Sequence, residues 1–438
     1  MTESSDLPID AQSAAELQKR GLRFALLDST AVETFEPWFQ AVSRGFLGER
    51  TTAEVVAARR PVWTDRRGSG VWDDTAADPA SPVATIGAWA TELTVPGHSS
   101  IPAWAISVVT VSPTHRRRGI ATELLTSELR TAKALGIPVA ILTVSEATIY
   151  SRWGFAPSAM TADWSIDTRR LRWTGPAASG RTHFVERERA LADGAELIER
   201  VRLATPGQIE FHGILWERLV GVEDDKNLGK LRYVRYDDEH AVPQGFAVYL
   251  VTDHETAADR AVVKISYLVA ATDDAYAGLW QHFLAMDLVD EVQAPLRSID
   301  EPVRWQISDY RAATKSLERD HLWVRIIDVS ATLTGRRYHS PGHLVLDVTD
   351  HQGFATGRWL LTISSDGTAV VAPLEGDIPD DADAVALSVR ELGAIYLGGV
   401  SPVTLARAGL VEELTPGAAA VVERCFRTAT TPWLSIWF

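Results

Sequence analysis

The residues best suited to chemistry lie in one run, Val108-Val109-Thr110-Val111-Ser112-Pro113-Thr114-His115-Arg116-Arg117-Arg118-Gly119-Ile120-Ala121-Thr122. A β-branched strand gives way to a turn, three arginines and a glycine, and then a helix begins. Backbone N–H groups at a helix start lack intrahelical partners and carry partial positive charge, so they form a cradle for phosphate. Gly119 permits close backbone approach. The arginines supply charge for a diphosphate and a 3′-phosphate. The competing reading is a solvated basic patch, but three cations at the positive end of a helix dipole oppose that dipole unless an anion is present. Downstream, Tyr150 sits in Ile149-Tyr150-Ser151-Arg152-Trp153-Gly154-Phe155. By residue type it is either a proton donor or a packing aromatic beside Trp153 and Phe155. The chain ends in Trp433-Leu434-Ser435-Ile436-Trp437-Phe438, apolar where termini are commonly polar and frayed, so this end is expected to dock.

These residues need elements to hold them. Residues 1–20 are polar and acidic, then weakly helical, and read as a flexible N-terminal extension. Residues 33–44 form a helix with Phe35, Trp38, Phe39 and Val42 on its apolar positions. Residues 81–93 and 102–111 are expected strands around a turn at Gly97-His98-Ser99-Ser100. Residues 120–135 are rich in helix formers and close at Gly136, with Pro138 following. Residues 139–144 are a short apolar strand of the buried kind, which completes a βαβ unit. A second segment repeats this layout, with strands at 245–251 and 260–269, a helix at 276–288 and a strand at 303–307. Its strand-to-helix turn carries Asp273 and Asp274 and no Arg-x-x-Gly, so it should not hold a diphosphate. A third segment has strands at 343–348, 359–364 and 368–372 and short helices at 385–391 and 401–408. The fold class is α+β (mixed α/β). The expected divisions are 1–20, 21–178, 179–322 and 323–438.

Composition bounds the rest. The 438 residues carry 43 Lys plus Arg against 58 Asp plus Glu, a formal charge of −15. This argues against a nucleic-acid partner and permits a cationic one, although an acidic surface also simply favours solubility. The single cysteine, Cys425, excludes an intramolecular disulfide and a Cys-based zinc site, and no metal is expected. The N-terminus lacks the basic start and apolar core of a signal peptide, and no stretch reaches the roughly 18 apolar residues of a membrane helix. A cytoplasmic protein with no membrane partner is the expectation.

Arg116-Arg117-Arg118-Gly119-Ile120-Ala121 resembles the Arg/Gln-x-x-Gly-x-Gly/Ala motif of the GNAT superfamily of N-acetyltransferases, and Tyr-x-x-x-Gly-Phe at Tyr150 to Phe155 resembles its second signature. The resemblance implies that acetyl-CoA is the cosubstrate. It implies that the backbone of Val109, Thr110 and Val111 binds the pantetheine arm, with Ser145 and Glu146 on its other side. Arg117, Arg118, Gly119, Ile120, Ala121 and Thr122 would wrap the pyrophosphate, and Tyr150 would donate a proton to the departing sulfur. Over nearly the whole chain the sequence is similar to the Eis (enhanced intracellular survival) branch, which shares Pro113 to Gly119, Ile149 to Gly154 and a Leu-Gly-x-x-Tyr-Leu-Gly run at Leu392 to Gly398. That branch implies two GNAT-like domains followed by a sterol-carrier-protein-like domain, the second GNAT-like domain lacking the cofactor motif. It also implies a homohexamer, and a C-terminal Phe, here Phe438, whose carboxylate enters the active site as proton acceptor. The acceptor would be a primary amine of a cationic small molecule, of aminoglycoside, polyamine or lysine type, attacked directly in a ternary complex. Better-known members place an acidic residue before the terminal Phe where this chain has Trp437, so Trp38, Phe46 and Trp437 are expected to stack on the substrate. The alternative is a lipid- or acyl-CoA-binding module with a vestigial transferase domain.

Overall fold

The computed structural model describes residues 7–211, 213–221, 228–252 and 261–438. Two sheets organise the chain. The first holds twelve strands: β1 (Arg23–Leu26), β2 (Arg67–Trp72), β3 (Ala84–Val95), β4 (Ser99–Val111), β5 (Val139–Thr143), β6 (Ala156–Asp167), β7 (Arg181–Val185), β8 (Leu231–Asp237), β9 (Pro243–Thr252), β10 (Ala261–Ala270), β11 (Val289–Arg297) and β12 (Ala313–Ile326). Their order is β1-β2-β3-β4-β5-β12-β6-β11-β10-β9-β8-β7. Read inward from either edge, the two halves match: four strands, a fifth parallel to the fourth, then one borrowed strand. β4 and β5 are parallel, as are β10 and β11. The crossover helices are Ile120–Ala134 and Asp273–Leu284.

The borrowed strands are exchanged between the halves. β12, late in the chain, pairs with β5 through Leu322 to Ile326, and β6 pairs with β11. β12 and β6 pair with each other at the centre. Alternation along β12 serves two cores: Leu322, Val324 and Ile326 join the large cluster common to all three units, while Trp323 and Ile327 join the one beneath the helix Ile120–Ala134. β5 is apolar on both faces because both are covered. β12 also crosses the expected 322/323 division, its first part on β6 and its last residues on β5.

The second sheet, β15-β14-β13-β16-β17, comprises β13 (Gly342–Thr349), β14 (Gly357–Ile363), β15 (Ala369–Pro373), β16 (Asp383–Ser388) and β17 (Val411–Glu413). The expected helix at 385–391 is in fact β16 followed by the helix Val389–Ile395, which Ser388 and Glu391 start with a capping box. Ala384, Val385 and Leu387 are buried beside β13, and that tertiary pairing overrides their helix propensity. Similarly, 303–307 is not a strand but the short 3-10 helix Pro302–Trp305, and the strand is β11. Pro295 and its polar neighbours disguise β11 in the sequence. Residue 260 of the expected strand 260–269 lies outside the described residues.

The N-terminal extension differs from expectation too. The helix Ala11–Gln18 is capped by Asp10 and buries Leu17. Asp10 also pairs with Arg130 at 2.9 Å, and Arg67 reaches the Leu7 and Pro8 carbonyls. No described helix is long and apolar enough to cross a membrane.

The third unit docks on β12 through its family-like run. Gly393 lies where a Cβ would stand 2.8 Å from the Val324 carbonyl, and Tyr396 braces the run inside its own unit by donating to the Thr332 carbonyl at 3.0 Å. Arg325 of β12 and Asp350 of the third unit are both buried and pair at 2.7 Å. Gly154 has φ +83°, and a Cβ there would stand 2.7 Å from Arg325 Nε and 2.9 Å from Val389. Gly154→Ala is expected to cost about 1–3 kcal/mol of stability from the backbone conformation and this contact together. Thermal unfolding would measure it, and an unchanged Tm would contradict the packing described.

Candidate active site

The site begins with a fault in β4. Val108 has φ +48° and the β3–β4 register shifts beside it, which is the signature of a bulge. Thr85 holds the bulge by donating to the Val108 carbonyl at 2.8 Å and bonding the Thr110 hydroxyl at 2.7 Å. Pairing between β4 and β5 covers only Ala103 to Ala105 against Val139 to Ile141. Beyond it the strands part, and the backbone of Val109, Thr110 and Val111 presents to the gap an edge without a strand partner. The Thr110 side chain itself is buried in the bulge.

The turn after β4 separates three arginines that look alike in the sequence. Arg117 has φ +62° and Gly119 φ +73°, and no side chain caps the helix Ile120–Ala134, so its first N–H groups remain unspent. Arg116 and Arg117 are exposed and form no ion pair among the described residues. Arg118 turns back to donate to the Arg20 carbonyl at 3.1 Å, with Asp73 3.9 Å away. Arg20 in turn donates to the Arg118 carbonyl at 3.1 Å and pairs with Glu123 at 3.0 Å. Asp73 also holds His115 at 3.1 Å, and the hydrogen bonds from Thr75 and His115 keep its carboxyl well below the usual range. Arg20 was hidden from sequence reasoning because it falls in the apparent extension. Ile120 is buried, Ala121 half-buried and Thr122 exposed, as a helix start with one inward face requires.

On the other side of the gap, Ser145 and Glu146 are exposed just past β5. Tyr150 ends the short helix Ala147–Tyr150 and is buried in the cluster that includes Val144, Val109 and Val111. Its ring stands edge-on to Phe155 with centroids 6.4 Å apart. Burial, and then the Glu146 charge, push the phenol up to about 12.

The far end of the chain closes the site. Phe438 packs edge-on against Trp89 of β3 with centroids 5.5 Å apart, and the Phe438 main-chain oxygen accepts from Thr143 Oγ1 at 2.9 Å. Thr143 is the last residue of β5, so the terminus stands where β4 and β5 diverge. A cavity of about 120 Å³ lies beside it, lined by Phe39, Trp63, Ser107, Val108 and Leu215 and by Arg59, Arg66 and Arg218. Arg66 is stacked 3.8 Å over the Trp89 ring, and Arg218 donates to the Trp437 carbonyl at 2.6 Å. Thr143, Trp89, Phe39 and Trp63 carried no signal in the sequence beyond their being apolar or β-branched in regular elements.

The three expected substrate aromatics do not line this cavity. Trp38 is fully buried, donates to the Ser69 carbonyl at 2.9 Å and packs edge-on with Trp63 at 4.6 Å. The apolar stripe of its helix turns Trp38 inward and leaves its neighbour Phe39 at the rim. Phe46 is exposed at the end of the same helix, away from the cavity. Trp437 is 38% exposed and stands over His321 instead. Cys425 is buried, and burial pushes its thiol up, as befits an inert structural thiol. Among the described residues no three His, Cys, Asp or Glu side chains are grouped to hold a metal ion. The raised Tyr150 phenol gives a direct measurement: the ultraviolet titration difference between the native chain and Tyr150→Phe should show no more than about a tenth of phenolate at this position up to pH 11. Ionisation near pH 10 would contradict the burial.

The segments match known families in the order of the fold. Residues 27–158 and 207–326 each match the acetyltransferase (GNAT) domain, and residues 329–435 match the sterol carrier protein domain. An uncharacterized N-acetyltransferase of Streptomyces avermitilis is 36% identical over 90% of this chain and 94% of its own length. The N-acetyltransferase Eis of Mycobacterium tuberculosis is 30% identical over 72% of this chain and 76% of its own. The crystal structure of Eis1 from Mycobacterium abscessus superposes with a TM-score of 0.80 at 29% identity, covering 95% of this chain and all of that one. With two GNAT domains, a sterol-carrier-type domain and these relatives along its length, the chain is an acetyltransferase that belongs to the Eis family.

Proposed function

We propose that the chain moves acetyl from acetyl-CoA to a primary amine of a cationic small molecule, of aminoglycoside, polyamine or lysine type. Attack is direct, with both substrates bound, and Tyr150 and the Phe438 carboxylate handle the protons. The observation that carries this reading is the hydrogen bond from Thr143 that ties Phe438 to the point where β4 and β5 part. The residues around that gap suit the donor. An unpaired strand edge at Val109 to Val111 offers hydrogen bonds to an amide-bearing arm, and the uncapped helix start with Arg116 and Arg117 offers charge to a diphosphate.

When bound, acetyl-CoA supplies the thioester carbonyl that the amine attacks. The α-carboxylate of Phe438 has a reference pKa of ~3.3–3.7 against ~10.4 for a primary ammonium, so it does not hold the proton it accepts. It draws the ammonium in, passes its proton to water and stabilises positive charge on nitrogen as the C–N bond forms and the C–S bond breaks. Nitrogen then releases its surplus proton, which sulfur gains, so the products are an amide and a thiol. Tyr150, held at about 12, is a weaker acid than a thiol at ~8.5, so it serves the departing sulfur as hydrogen-bond donor more than by full proton transfer. Phe39 and Trp63 line the cavity beside Phe438 together with Arg59, Arg66 and Arg218.

Extending the chain beyond Phe438 removes the carboxylate from its seat. It should lower kcat by roughly 10²–10⁴-fold while acetyl-CoA still binds by calorimetry. Tyr150→Phe should lower kcat by about tenfold to a hundredfold. Native turnover by the extended chain would overturn the carboxylate's role, and native turnover by Tyr150→Phe that of the tyrosine. CoA release across a panel of amines identifies the acceptor.

A further inference from the structure

The second unit contains a gap built like the first, and the chain fills it with its own groups. β10 and β11 run parallel and pair only as far as Lys264 and Gln293, then part. Arg297, at the end of β11, is buried across the opening and donates to the Leu268 carbonyl of β10 at 2.7 Å. It pairs with Glu301 at 2.8 Å, and Tyr276 donates to the same carboxylate at 2.7 Å. At the following helix start, Asp274 accepts from Ser179 N at 2.9 Å, from Ser179 Oγ at 3.0 Å and from the Tyr236 hydroxyl. Carboxylates there disfavour a diphosphate, and the guanidinium blocks an arm.

The C-terminal tail crosses the mouth of this gap. Trp433 lies with its ring 5.0 Å under the Arg297 guanidinium, and its N–H donates to the Pro206 carbonyl at 3.1 Å. A cavity of about 150 Å³ beside them is lined by Tyr267, Arg297, Trp433 and Ser435. From here onward side chains hold the tail by its main chain. Gln208 donates to the Trp433 carbonyl at 2.9 Å and accepts from Ser435 Oγ at 2.8 Å. His321 Nε2 donates to the Ile436 carbonyl at 2.7 Å, Arg218 to Trp437 and Thr143 to Phe438. A carbonyl oxygen only accepts, so Nε2 carries the imidazole proton. Gln208 and Arg218 belong to the second unit, and His321 lies on the exchanged strand β12. His321 and Gln208 are buried, and Trp437 stands edge-on over the His321 ring at 4.4 Å.

We propose that the second unit's gap is the seat of the tail rather than of a second cofactor, and that Gln208 and His321 are positioning residues that set the Phe438 carboxylate in the transfer site. Donors aimed at carbonyls fix the path of the tail whatever its side chains are. A carboxylate that must meet an incoming ammonium within hydrogen-bond reach needs such fixing, because small displacements of reacting groups cost large factors in rate. The proposal rests on the reading that the carboxylate takes part in the reaction.

The test compares Gln208→Ala, His321→Ala and His321→Gln, each in the full chain and in the chain extended beyond Phe438. The amide of His321→Gln replaces the Nε2 donor. In the native-length chain, Gln208→Ala and His321→Ala should lower kcat by about tenfold to a hundredfold with the calorimetric affinity for acetyl-CoA unchanged. His321→Gln should restore most of that loss. In the extended chain, whose carboxylate is already displaced, neither alanine substitution should lower the rate further. Native kcat in both alanine variants would overturn the proposal. So would an equal loss in the extended chain, which would mark a role apart from the carboxylate, or loss of acetyl-CoA binding, which would assign these residues to folding. Full activity of the extended chain without substitutions is a separate result: it would remove the carboxylate from the reaction and this proposal with it.

Discussion

The pairing of β12 with β5 is the constraint on which the site depends. β5 has β4 on one edge for three residues only, and without β12 its other edge would be bare. Leu322 to Ile326 supply that edge, so β5 stays in place while β4 departs, and the gap between them is the result. The same strand brings His321 to the tail, Arg325 to Asp350 of the third unit, and Val324 to the close approach of Gly393. One strand from late in the second unit thus completes the first and anchors the third.

Reciprocal exchange gives the second unit its purpose. Two copies of one architecture share a sheet, and each borrows its sixth strand from the other. The second unit has no Arg-x-x-Gly turn, yet its parallel strands part as those of the first do. Here Arg297, Glu301 and Tyr276 close that gap with a buried, hydrogen-bonded network. Such a network is tolerated inside a protein only when its partners satisfy it, which Glu301 and the Leu268 carbonyl do.

What could be read from the sequence was what is local. Arg116 to Gly119 between a strand and a helix is contiguous, and the structure has there a positive-φ glycine, an uncapped helix start and two exposed cations, Arg116 and Arg117, while Arg118 turns back to Arg20. The repeat of strand, strand and helix was visible because periodicity survives divergence. The strand exchange was not, since β12 is distinguished only by which strands it meets, a matter of register at long range. Trp38 shows a subtler failure. Its helical spacing with Phe35 and Val42 marked an apolar face correctly, but periodicity does not say which aromatic at that face reaches the rim, and Phe39 does. Arg20 and Thr143 have partners more than ninety residues away, so nothing adjacent announces them.

The tail is held by packing and by bonds to its main chain together. Leu434 and Ile436 are buried, Phe438 packs edge-on against Trp89, and Trp433 lies under the Arg297 guanidinium. Four side chains bond the carbonyls of Trp433, Ile436, Trp437 and Phe438. Those bonds come from Gln208 and Arg218 of the second unit, His321 of the exchanged strand and Thr143 of the first. The last residues of the third unit are thus held by side chains of the other two.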